Sequence, residues 1–344
     1  MTVTLPDDTM SMSKLRELVE AIERASLTEV IPMNQLTFFH DENSNREPSL
    51  SINRKAYSLT AHSRDQLVNF LKIPRGFYTG ISLGVREALI NALLTEGKDY
   101  WQIQFLKPSK IRGVLSSKVD LFDYTVPLDG LEQVVEDRGL LLECDTVYFD
   151  GLEIQLRVLL QDKIMIGNDS YRQGIHIQYS DIGYCDTIVA PVLYRQSSST
   201  GLICLDLQSS LLKQKSLASA KKSIRSIFRD LLTNLEQELT LVKVLRHLKE
   251  SEAPQDIRRK DGIRELSSIL KGLPESFVLC MKAEIENGLD LAIGSKLDTS
   301  SQPIYHYINL LMNVSKQLPW KYRTRMEANI TDYILQNCKP EGFN

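Results

Sequence analysis

A chain of 344 residues, 42% hydrophobic and 25% charged with its apolar residues spread throughout, can bury a large core and is excluded from the disordered class. Its net charge of -3 excludes a uniformly basic duplex-coating protein, so any surface for nucleic acid must be local. Cys144, Cys185, Cys204, Cys280 and Cys338 form no C-x-x-C pair, which excludes a zinc ribbon and a thioredoxin-like motif. Reduced thiols, the lack of a long apolar run and an acidic N-terminus without signal-peptide character lead to the expectation of a cytoplasmic protein with no membrane partner.

In chain order, apolar spacing over 12–25 predicts an opening helix. The polar run His40 to Pro48 reads as a loop, and Leu50, Ile52 and Tyr57 read as a short strand or hairpin. Ser63-Arg-Asp-Gln66 has capping-box spacing and predicts a helix over 64–71 closed by Pro74; a second helix over 82–95 ends at Gly97. From 100 the pattern changes to strands. Segments 100–106 and 152–158 alternate with period two. The second places Leu152, Ile154, Leu156 and Val158 on a core face, and Glu153, Gln155 and Arg157 on a face toward water. Further strands are expected at 111–116, 175–180, 187–195 and 201–206, with a helix at 129–136 among them.

After 210 the chain reads as helical. A long pattern over 217–250 sets Ile224, Phe228, Leu231, Leu235, Leu239, Val242 and Leu245 three and four apart, the spacing of a packing seam. Helices follow at 262–271, 274–287, 303–317 and 320–337. The expected fold is α+β: a mixed, largely antiparallel sheet core with flanking helices over 1–210, then an all-helical domain over 211–344.

Three stretches carry a resemblance. The first is Leu50-Ser-Ile-Asn-Arg-Lys-Ala-Tyr57 with the helix ending at Ile73-Pro-Arg75. The second is Ile111-Arg-Gly-Val-Leu-Ser-Ser-Lys-Val-Asp-Leu-Phe-Asp123. The third is Gly174-Ile-His-Ile-Gln-Tyr-Ser-Asp-Ile-Gly183, running on to Pro191-Val-Leu-Tyr-Arg195 and Ser199-Thr-Gly-Leu-Ile203. Together they resemble the phage- and plasmid-like family known as domain of unknown function nine-three-two, with its NSEVG-like box, tyrosine–arginine pair and CTNG-like box. Tyr179 stands where that family favours asparagine, and Ser198-Ser-Thr-Gly201 where it favours a cysteine and an asparagine. The resemblance implies a mobile-element setting and an α+β core, and supplies no reaction.

The sequence holds no phosphate loop, no G-x-G-x-x-G and no G-x-S-x-G. His40, His62, His176, His247 and His306 are scattered, and Asp120, Asp123, Asp150, Asp181 and Asp186 fall at turns and strand ends, so no catalytic residue, metal or cofactor is assigned. One stretch departs from the average. Between Asp206 and Asp230 there is no acidic residue, yet Lys213, Lys215, Lys221, Lys222, Arg225 and Arg229 all lie there. Lys221, Arg225 and Arg229 are four apart and share a helix face, with Ile224, Phe228 and Leu231 opposite. Cations in the first turns of a helix oppose its dipole by about 0.3–1 kcal/mol, a mismatch that a bound phosphate would relieve. Trp320, Lys321 and Arg323 interleave aromatic and basic groups, which suits base stacking with phosphate contact. Lys107, Lys110 and Arg112 follow Tyr100 and Trp101 as a basic sheet edge. The leading expectation is therefore a non-enzymatic nucleic-acid-binding protein of a mobile element, preferring single strands. The alternatives are a self-assembling or protein-interaction component built on the seam at 217–250, and a metal-dependent nuclease using Asp120, Asp123 or Asp150.

Overall fold

A computed structural model of the chain describes residues 12–40, 48–106, 109–118, 123–195, 203–205, 212–214, 224–236, 240–250, 256–293 and 301–338. The opening helix is α1 (Met12–Ala25), and it runs directly into β1 (Ser26–Pro32). A 3-10 turn leads to β2 (Leu36–Phe39), followed by the hairpin of β3 (Ser49–Ile52) and β4 (Lys55–Leu59). That hairpin turns on Asn53 and Arg54 with φ of 51° and 64°, the left-handed pair that a two-residue connection needs to match strand twist. Helix α2 (Ala61–Phe70) begins three residues before the expected start. Its cap is Thr60, whose hydroxyl accepts from the Ser63 backbone N–H at 3.2 Å. Gln66, expected to complete a capping box, instead reaches across the fold: its amide accepts from Val114 N–H at 2.8 Å and donates to the Ile182 carbonyl at 2.7 Å.

Short helix α3 (Arg75–Gly80) and helix α4 (Leu83–Glu96) precede β5 (Tyr100–Leu106) and β6 (Lys110–Ser116). The six strands order as β1-β5-β6-β4-β3-β2, with only the β4–β6 pair parallel. Ile103 and Val114 of this sheet bury against Leu67 and Val68 of α2 and Ile90 and Leu94 of α4, forming a core of their own.

Helix α5 (Thr125–Asp137) leads to a second, antiparallel sheet. Its strands β7 (Leu142–Phe149), β8 (Ile154–Ile166), β9 (Asp169–Tyr179), β10 (Thr187–Arg195) and β11 (Ile203–Leu205) order as β11-β10-β9-β8-β7, and β12 (Leu212–Gln214) also pairs with β10. The alternation expected at 152–158 holds on one side. Ile154, Leu156 and Val158, with Ile175, Ile177 and Tyr179 of β9, meet α1 and α5 in the larger core.

The helices α6 (Ile224–Glu236), α7 (Thr240–Glu250), α8 (Arg259–Ile269), α9 (Glu275–Ile293), α10 (Ile304–Ser315) and α11 (Trp320–Asn337) complete that same core. Residues 217–223 and 237–239 of the expected long helix lie outside the described residues. The seam itself, Ile224, Phe228, Leu231, Leu235, Val242 and Leu245, is buried inside the chain's own core, so these side chains leave no stripe for a second copy. The expected division at 210 therefore falls within one core rather than between two: a sheet cannot seal its own face, and α6 and α7 help to seal this one. The region expected to be all-helical from 211 is not: β12 joins the second sheet, and β13 (Asp256–Arg258) and β14 (Ser301–Pro303) pair antiparallel, while its other described elements are helices. Among the described residues no helix is long and apolar enough to cross a membrane.

Candidate functional site

The outward face of the second sheet is where expectation and structure part. Gln155, Arg157 and Glu153 should meet water by their alternation, yet Arg157 is 0% exposed and Gln155 1%. Helix α11 covers Arg157 and Gln155. The Arg157 guanidinium forms an ion pair with Glu327, which is 1% exposed, and stacks 4.5 Å from the Trp320 ring centre. Thr324, one turn before Glu327 and one after Trp320, donates to the Gln155 amide oxygen at 2.9 Å. Arg323 holds the other carboxylate oxygen of Glu327 at 2.9 Å and lies over the same Trp320 ring, 5.1 Å from its centre.

His176 pairs in register with Arg157 and is fully buried, with neither ring nitrogen partnered. Burial and the neighbouring guanidinium hold its imidazole well below the ordinary value. Nε and Nη1 of Arg157 and Nε1 of Trp320 are also without partners. Removing charges from water costs several kcal/mol per ion unless pairing is complete, so this seam is a site of high electrostatic stakes.

A second buried pair joins the two sheets. Arg112 on β6 grips Asp181, in the turn after β9, with two bonds of 2.7 and 2.9 Å, and Gln104 donates to the Asp181 carbonyl at 2.9 Å. Burial pushes the Asp181 carboxyl up to about 6 in spite of the guanidinium. This joint connects the second and third resemblance stretches, since Arg112 and Gly113 belong to one and Ser180 to Gly183 to the other. A third cluster sits where the sheet meets α7 and α10. Burial raises the Asp169 carboxyl, but hydrogen bonds from Lys249, Arg195 and Tyr305 outweigh it and hold the group below the usual range.

These placements correct part of the expected interface. Arg112 is 3% exposed and committed to Asp181, so it cannot form a basic edge. Trp320 is 7% exposed and its ring lies against the guanidinium groups of Arg157 and Arg323, so it is not the open stacking platform that was expected. Arg323 is mostly buried and paired with Glu327. Lys110 is exposed at the start of β6. Lys107, Lys215, Lys221 and Lys222 lie outside the described residues, as do the side chains of Lys213 and Lys321.

Arg225 and Arg229 stand as expected. Both are exposed on α6, opposite the buried Ile224, Phe228 and Leu231, and neither has an ion-pair partner among the described residues. The helix carries no acidic residue in its first turn. Arg138, just past α5, braces this surface by donating to the Arg229 carbonyl at 3.1 Å and the Thr233 hydroxyl at 2.7 Å.

Asp120 lies outside the described residues, and Asp150 is spent on the backbone N–H groups of Leu152 and Glu153 at 2.8 and 3.0 Å. Among the described residues no group of three histidine, cysteine or carboxylate side chains could hold a metal ion. Burial raises the thiols of Cys144, to about 11, and Cys185, away from nucleophilic character. No protein-family model matches the chain, and neither a curated protein nor a solved structure matches it.

Proposed function

We propose that the chain is a non-enzymatic nucleic-acid-binding protein of a mobile element, with single strands favoured and the outward face of α6 as the contact surface. The observation that carries this reading is the exposure of Arg225 and Arg229, without ion-pair partners among the described residues, on a helix whose apolar side is fully committed to the core. An unpaired guanidinium is a phosphate ligand by geometry and charge. In sequence these two residues close a run of six cations with no acid between Asp206 and Asp230. Contacts of this kind supply affinity and register rather than base identity. The mobile-element setting rests on the resemblance of the three stretches described above.

Fluorescence anisotropy of a labelled oligothymidylate tests the proposal. Binding should weaken steeply with salt, by a slope of about -0.7 per phosphate neutralised on a single strand. Arg225→Glu with Arg229→Glu should lower affinity at least tenfold and flatten the slope by about 0.7 per residue, with thermal stability held. Wild-type affinity no better than about millimolar at low salt, or an unchanged affinity in the folded double variant, would defeat it.

A further inference from the structure

Gln173 lies on the inner face of β9, between Tyr171 and Ile175, and it is only 6% exposed. Its amide nitrogen has no hydrogen-bond partner. The cause lies in the pairing with β8. Leu159 pairs with Gly174 and Lys163 with Arg172, so three residues of β8, 160–162, stand opposite the single residue Gln173. A bulge of this size bends the strand away and breaks the ladder locally. A cavity of about 400 Å³ opens at that point. Leu140, Leu160 and Ile164 wall it, Leu232 and Leu235 of α6 floor it, and Gln173 is its buried polar group. Asp162 is exposed at its rim.

A buried amide N–H left without an acceptor costs about 1–3 kcal/mol, and apolar cavities of this size with a few placed polar groups are the usual form of small-molecule sites. We infer that this cavity binds an uncharged, largely aliphatic small molecule whose single hydrogen-bond acceptor meets the Gln173 amide. The aliphatic walls select the body of the ligand, the amide selects the acceptor, and the Asp162 carboxylate at the mouth disfavours an anionic head group. The site is independent of the arginine face of α6, so either can fail without the other.

Methyl-labelled full-length protein titrated with 2-nonanone tests the inference by NMR. Saturable shifts are expected at the methyls of Leu140, Leu160, Leu232 and Leu235, with a Kd below about 1 mM. Gln173→Leu should weaken 2-nonanone binding about three- to tenfold, the worth of one neutral hydrogen bond, and nonanoate should bind more weakly than the ketone to the parent protein. Leu232→Trp should fill the space and abolish the shifts. If that variant does not fold, Leu140→Trp at the half-buried wall serves the same purpose. No saturable shift at these methyls, or ketone binding that survives a folded cavity-filling variant, overturns the proposal; so does equal affinity in the Gln173→Leu protein.

Discussion

Removing Glu327 is the sharpest perturbation of this fold. Its carboxylate is 1% exposed and is shared by Arg157, which is 0% exposed, and Arg323, which retains some access to solvent. In Glu327→Ala, Arg323 can turn to water but Arg157 cannot, because Trp320 lies over it and the sheet lies behind it. An uncompensated buried charge of this kind costs about 3–5 kcal/mol. With a urea m-value near 3 kcal/mol/M, the unfolding midpoint should fall by roughly 1–1.7 M. The decisive comparison is Arg157→Met with Glu327→Leu, which removes both charges and keeps apolar volume. It should recover most of the loss, and the coupling between the sites should exceed about 2 kcal/mol. Urea denaturation followed by circular dichroism reads both quantities. A cost below about 1 kcal/mol for Glu327→Ala with unchanged m, or strict additivity in the double variant, would show that the seam is hydrated and that its burial has been misjudged.

Other perturbations follow from the same geometry. His176 is held neutral in the fold but titrates near 6.5 when unfolded, so between its depressed folded value and 6.5 the unfolded state binds more protons. Stability should therefore fall as pH drops from about 7 to 5, by up to about 2 kcal/mol from this residue, and His176→Gln should remove that part of the decline in pH-dependent urea melts. Asp181 has the opposite sign. Its folded value of about 6 lies above the unfolded one, so its contribution is present below about pH 4 and is lost as pH rises through 6. A difference curve between wild type and Asp181→Asn should show that descent. Gly174→Ala should destabilise by about 3 kcal/mol or more, because a Cβ there would run into the Val158 carbonyl and backbone of β8, whereas Gly76→Ala, in α3 with open space around it, should be neutral or stabilising by up to about 1 kcal/mol; thermal melts of the pair check both.

Local physics made most of the elements legible. The three-and-four spacing of α1 and the period-two alternation of β5 need no tertiary partner to be read, and α1 spans the residues that its spacing predicts. The caps were less legible, because Thr60 and Ser63 are both competent hydroxyls and only the chain's path decides which one meets a free N–H. Strand β7 escaped notice because Leu142, Cys144 and Val147 are interrupted by a register shift that breaks the alternation.

The apolar face of β8 was determined by the sequence alone, since Ile154, Leu156 and Val158 can only turn inward. The fate of the opposite face was not. Gln155 and Arg157 alternate as solvent-facing residues would, and nothing within that segment announces a helix 170 positions later bearing a carboxylate for the arginine and a hydroxyl for the amide. Periodicity reports which residues share a side; it does not report what covers that side. The same limit explains the interface residues. Arg112 and Trp320 looked free because their partners, Asp181 and Arg157, are supplied by other elements, whereas Arg323 pairs with Glu327 one turn on in its own helix, a spacing that the sequence does display. Arg225 and Arg229 remained exposed because α6 uses its other side for the core, a division already written in the helical spacing of its own residues.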